Sequence, residues 1–110
     1  MIETAAALTD VEAICAVPGL AGIYVGPADL AISMGVDVAK ATADPTVLEA
    51  IGRIREVASG AGLVPAIHAG NGKVGHAMAQ LGFQMITLAA ESQALRRGAA
   101  AGLEEAKGEQ

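Results

Sequence analysis

The chain has 110 residues, 53% hydrophobic and 17% charged, a balance that suits one small folded domain and excludes a disordered polar segment. Its formal charge is −5, and Tyr24 and Phe83 are its only aromatic residues, so it offers neither the basic stripe nor the stacking platform of a nucleic-acid binder. No apolar run reaches the ~18–20 residues of a membrane span.

The N-terminal Met1-Ile2-Glu3-Thr4 lacks the positive segment and apolar core of a signal peptide. A membrane is therefore not an expected partner. Cys15, the single cysteine, lies in an apolar helical stretch and is expected to be a buried, inert thiol, consistent with a reducing, cytoplasmic setting.

Met1 and Ile2 read as the end of a buried strand that runs into Glu3. A helix follows, with Thr9 and Glu12 at capping-box spacing and Val11, Ile14 and Cys15 on its apolar face; Pro18-Gly19 ends it. Residues 21–25 form a second apolar strand, closed by Gly26-Pro27, and Pro27 suits the first turn of a short helix reaching Met34. Residues 35–43 connect.

Asp44-Pro45 pairs an N-cap with a proline at the first helical position, and Val47, Leu48, Ile51, Ile54, Val57 and Ala58 then recur at helical spacing until Gly60 and Gly62. Residues 64–68 are the next strand. Asn71 caps a helix through Leu81, with Gly82 closing it; residues 83–89 form the last strand, and Glu91 or Ser92 opens a final Ala-rich helix that frays into the polar end. Met34, Met78 and Met85 are expected to pack in the core.

The order β-α-β-α-α-β-α-β-α demands parallel strand pairing, and strands that are apolar throughout are expected to be covered on both faces. Such α/β units make about half of a TIM-type (β/α)₈ barrel or, alternatively, an open flavodoxin-like sheet; periodicity does not separate the two.

In a parallel sheet the carboxyl ends of the strands point one way, and sites gather there. Glu3 follows the first strand and Asp29 the second. Two carboxylates in one mouth can bind a hard divalent cation, act as general acid and base, or merely cap the helices that follow. Gly26 permits close backbone approach, and the amides of Ala28 and Asp29 open a helix, where an anion is welcome. A cation beside such amides suits a 2-keto acid.

His68 ends a strand and could reach the same mouth, with a hydrogen-bonded or solvated side chain as the plainer reading. His76 lies within a helix and is expected at the surface, and Arg96 and Arg97 are expected on a solvated face or a subunit contact. Gly70-Asn71-Gly72 lacks the lysine and hydroxyl pattern of a nucleotide loop and reads as a turn with an N-cap.

The segments Met1-Ile2-Glu3-Thr4, Gly19-Leu20-Ala21-Gly22-Ile23-Tyr24-Val25-Gly26-Pro27-Ala28-Asp29-Leu30 and Met34-Gly35 resemble the HpcH/HpaI aldolase family. Those are class II pyruvate aldolases, similar in fold to the citrate lyase β chain. Pro65-Ala66-Ile67-His68-Ala69-Gly70-Asn71 and Leu81-Gly82 fit the same pattern more loosely.

The resemblance covers essentially the whole chain and implies that residues 1–110 are the C-terminal part of a single aldolase-type barrel domain, the upstream half being absent. It implies that Glu3 and Asp29 hold a divalent metal ion, Mg²⁺ or Mn²⁺, and that Ala28 and Asp29 present backbone amides to the carboxylate of a small 2-keto acid. It also implies a closed homo-oligomer, in some members formed by exchange of the last helix, here residues 92–106. The family's general-base histidine with its aspartate, and its enolate-stabilising arginine, have no counterpart here.

The expected function is metal-dependent cleavage of a 4-hydroxy-2-keto acid to pyruvate, or a related 2-keto acid, and an aldehyde. The alternative is a truncated, non-catalytic half-barrel that binds metal weakly or only associates with itself, because its two sheet edges invite pairing with another copy.

Overall fold

The computed structural model describes residues 1–108; residues 109–110, the last of the expected polar end, lie outside it. The elements in chain order are α1 (Ala5–Thr9), α2 (Val11–Cys15), β1 (Gly22–Val25), α3 (Pro27–Ser33), a 3₁₀ turn (Val38–Lys40), α4 (Pro45–Gly60), β2 (Val64–His68), α5 (Gly72–Leu81), β3 (Met85–Thr87) and α6 (Glu91–Lys107).

The strands form one parallel sheet in the order β1-β2-β3. Ile2 adds a single parallel bridge to Val25 on the outer side of β1. The expected first strand is thus one bridged residue. The last strand is also shorter than the expected 83–89: Phe83 is buried in the core ahead of it, and the strand spans only Met85–Thr87.

The expected helix N-cap at Thr9 is replaced by an earlier one. Thr4 Oγ1 accepts from the Ala7 amide at 3.1 Å, and the Thr9 hydroxyl donates back to the Ala5 carbonyl at 3.1 Å. A threonine inside a helix can satisfy its hydroxyl on the preceding turn, so spacing to a glutamate does not make it a cap. The segment breaks at Asp10 into two short helices.

Elsewhere the caps fall where local chemistry put them. Asp44 accepts from the amides of Thr46 at 2.9 Å and Val47 at 3.3 Å, Asn71 accepts from Val74 at 2.9 Å, and Gly82 closes α5 at φ +103°.

One face of the sheet is packed. Ile23 and Val25 of β1 and Ile67 of β2 meet Val47, Ile51, Ile54 and Ala58 of α4, with Val11 and Cys15 of α2 beside them. Burial pushes the Cys15 thiol up from its usual range, and Glu12 adds to the effect, so the protonated, unreactive form is favoured.

The other face is uncovered, contrary to the expectation of strands covered on both sides. Tyr24, Val64, Ala66 and Met85 border a shallow apolar depression of about 360 Å³ there. Met85 is 57% exposed and so is not a core residue, whereas Met78 is buried and Met34 packs against the core. The parity of the pleat decides this: Met85 pairs with Ala66 on the open face, and Ile86 pairs with Ile67 on the packed one.

Candidate active site

Two hydrogen bonds fix the first carboxylate. The Ile2 amide donates to the Tyr24 carbonyl at 2.8 Å, and the Gly26 amide donates to the Ile2 carbonyl at 3.1 Å. Ile2 is thereby held opposite Val25, and Glu3, one residue on, lies alongside Gly26. The segment after Glu3 is pinned as well, because Thr4 caps α1 and Ser33 Oγ, from the end of α3, accepts from the Ala5 amide at 2.9 Å.

Gly26 is a glycine for a spatial reason. A Cβ built there would stand 3.1 Å from Glu3 Oε2 and 3.3 Å from Glu3 Cβ. The Glu3 side chain lies over the backbone at the end of β1, and a larger residue would displace it.

Pro27, fully within the fold, starts α3 with its fixed φ, so Ala28 and Asp29 occupy the exposed first turn. No side chain caps this helix. Its first amides are therefore open to a ligand, as expected of an unpartnered helix start.

The capping alternative for the two acids does not describe this geometry. Thr4, not Glu3, caps α1, and Asp29 sits inside the first turn of α3 without a side-chain cap bond. Both carboxylates are left free for other work.

Glu3, Asp29 and His68 line one cleft of about 310 Å³, together with Met1, Tyr24, Gly26, Pro27 and Ala28. His68 is the last residue of β2, half-buried, and follows Ile67, which pairs with Val25. Glu3 lies against Gly26, and Gly26 and His68 each follow a residue of the Val25–Ile67 pair, so the three gather at the carboxyl end of the sheet with the glycine leaving space between two polar side chains.

The donor set suits a hard cation in an open coordination shell. Two carboxylates supply anionic oxygens and leave positions for water and substrate oxygens. Among the described residues, no group of three or more His, Cys, Asp or Glu side chains is placed to enclose a metal. His68 therefore belongs to the cleft wall rather than to a closed ligand cage.

Sequence reasoning passed over Tyr24. Its hydroxyl donates to Thr87 Oγ1 at 3.0 Å, reaching from β1 to β3 across the small Ala66 of β2. The signal available was parity: Tyr24 is two residues before Gly26 and so shares its face. His76 is exposed on α5 and Arg96 and Arg97 are exposed on α6, as expected, with Arg97 also donating to the Gly70 carbonyl at 3.1 Å.

The sequence model of the HpcH/HpaI aldolase/citrate lyase family matches residues 1–97. The chain belongs to that family, whose members are aldolases and lyases.

Among curated relatives it is similar to a hydroxypyruvate/pyruvate aldolase of Rhizorhabdus wittichii, 36% identical over 81% of this chain and 36% of that protein. It is also similar to a hydroxypyruvate/pyruvate aldolase of Paraburkholderia phytofirmans, 37% identical over 96% of this chain and 40% of the relative. Among solved structures it superposes on an HpcH/HpaI aldolase/citrate lyase family protein from Burkholderia cenocepacia with a TM-score of 0.87 and 32% identity, over 96% of this chain and 40% of that one. The chain thus spans about 40% of the length of these relatives, and its fold is part of a TIM-type barrel, not an open flavodoxin-like sheet. No helix among the described residues is long and apolar enough to cross a membrane.

Proposed function

We propose that the chain carries the metal and keto-acid half of a carbon–carbon lyase, an aldolase that cleaves a 4-hydroxy-2-keto acid to pyruvate or hydroxypyruvate and an aldehyde. The observation that carries this reading is the shared cleft of Glu3 and Asp29 at the carboxyl ends of parallel strands, beside an uncapped helix start.

Glu3 and Asp29 would hold Mg²⁺ or Mn²⁺. A divalent cation, when bound, supplies Lewis-acid stabilisation of the enolate charge that develops when the carbon–carbon bond breaks. The amides of Ala28 and Asp29 orient the substrate carboxylate at the helix start. Pro27 fixes where those amides point, and Gly26 keeps the space beside Glu3 open.

Cleavage also requires a base near the substrate hydroxyl. We assign that base to the portion of the barrel that the relatives have and this chain does not span.

Binding of Mn²⁺ in the presence of oxalate, a mimic of the pyruvate enolate, tests the assignment. Calorimetry is expected to show metal binding that tightens with oxalate and is lost in Glu3→Ala and in Asp29→Ala. Oxalate-linked binding that survives in both variants overturns it.

A second reading is favoured by one observation: α6 has no buried residue, and Leu95 and Leu103 are 74% and 62% exposed. This supports a homo-oligomer in which α6 packs on another subunit. A chain that only associates, without catalysis, would show that assembly with no oxalate-linked metal binding.

A further inference from the structure

We infer that His68 is a specificity-determining residue of the cleft, hydrogen-bonding the hydroxyl on the third carbon of a bound 2-keto acid; this rests on the keto-acid reading of the site. Three observations lead there. His68 lines the same cleft as Glu3 and Asp29. It is one residue beyond the Val25–Ile67 pair, as Gly26 is, and Gly26, which lies against Glu3, carries no side chain to fill the cleft they share. The hydrogen bonds made around it, Tyr24 to Thr87 and Arg97 to the Gly70 carbonyl, bypass its imidazole.

The division of the cleft gives the imidazole its partner. The substrate carboxylate and keto oxygen belong with the carboxylates and the α3 amides, on the side of Glu3 and α3. The third carbon is what remains to face the strand end of β2. In pyruvate that carbon is a methyl group and gives an imidazole nothing to bond. In hydroxypyruvate it carries a hydroxyl, which can donate to a neutral ring nitrogen or accept from a ring N–H. A half-buried site sharpens the preference, because a polar ring left unpaired by an apolar group loses water without replacement.

His68 and His76 are the only histidines, and His76 lies exposed on α5, so their ring resonances give a signal and an internal control. In Mg²⁺, hydroxypyruvate is expected to move the His68 ring resonances more than pyruvate does and to leave those of His76 in place. By calorimetry, His68→Leu is expected to weaken hydroxypyruvate binding roughly threefold to tenfold, the loss of one neutral hydrogen bond, with pyruvate binding unchanged. His68→Gln, which keeps a donor and an acceptor, is expected to restore part of the difference.

Equal losses for both acids in His68→Leu, or no loss for either, overturn the role of His68 while Mg²⁺-dependent pyruvate binding keeps the underlying site. If the unmodified chain binds neither acid in Mg²⁺, the keto-acid reading itself fails, and the role of His68 with it.

Discussion

Helices α4 and α6 are nearly equal in length, at 16 and 17 residues, yet they stand in opposite relations to the rest of the molecule. In α4, Val47, Ala50, Ile51, Ile54 and Ala58 are buried against β1, β2 and α2. In α6 nothing is buried. Both carry apolar residues on one side, so amphipathicity alone does not distinguish them.

What differs is whether a sheet lies under the stripe. The strands that α4 covers offer it Ile23, Val25 and Ile67, whereas α6 follows the shortest strand and buries none of its residues. An apolar stripe shows that a helix has something to bury, not that its own chain supplies the place.

The largest expected effect lies in α4. Ile51 is fully buried, and Ile51→Ala removes its side chain from the centre of the packed face. A loss of ~2–5 kcal/mol is expected from denaturant unfolding, since the neighbouring residues can close the cavity only in part. A loss below 1 kcal/mol would mean that α4 is not the element holding the sheet.

The start of the same helix has a smaller role. Asp44 satisfies two amides of the first turn, and Asp44→Ala is expected to cost ~1 kcal/mol by the same measurement. An unchanged midpoint would show that Pro45 alone is enough to set the helix start.

Such local devices were readable in the sequence. Asp44-Pro45, Asn71 and Gly82 each act through chemistry within a few residues, and each fell where it was expected. Glu3, Asp29 and His68 were also legible as strand-end residues, because chain order places every carboxyl end of a parallel sheet on one side.

Relations across strands were not readable. The gathering of Glu3, Gly26 and His68 in one cleft depends on register, which hydrogen bonding between distant segments sets. The Tyr24 to Thr87 bond depends on Ala66 being small between them. Thr9 was misread because a threonine and a glutamate at the right spacing describe a capping box only when the backbone before them is extended, and here it is already helical. The exposure of Met85 followed from parity that could be assigned only once β3 was paired.

The smallest expected effect lies in α6, and there the sign of the comparison can be tested directly. Leu95→Gln with Leu103→Gln replaces two exposed apolar residues that touch no core. For a helix that packs on nothing within its own chain, such surface changes are expected to shift unfolding by no more than ~0.5 kcal/mol. If the stripe instead docks on another subunit, the same substitutions lower the mass measured by sedimentation at fixed concentration, and the melting temperature loses its dependence on concentration. Gly98 and Gly102 lie within the helix and weaken it when it stands alone. Order in α6 would then be gained largely at the contact, so loss of assembly should be accompanied by loss of helical circular dichroism. A monomer that keeps its full helical signal with both leucines replaced would show that α6 needs no partner, and that its apolar stripe is only a solvent-facing surface.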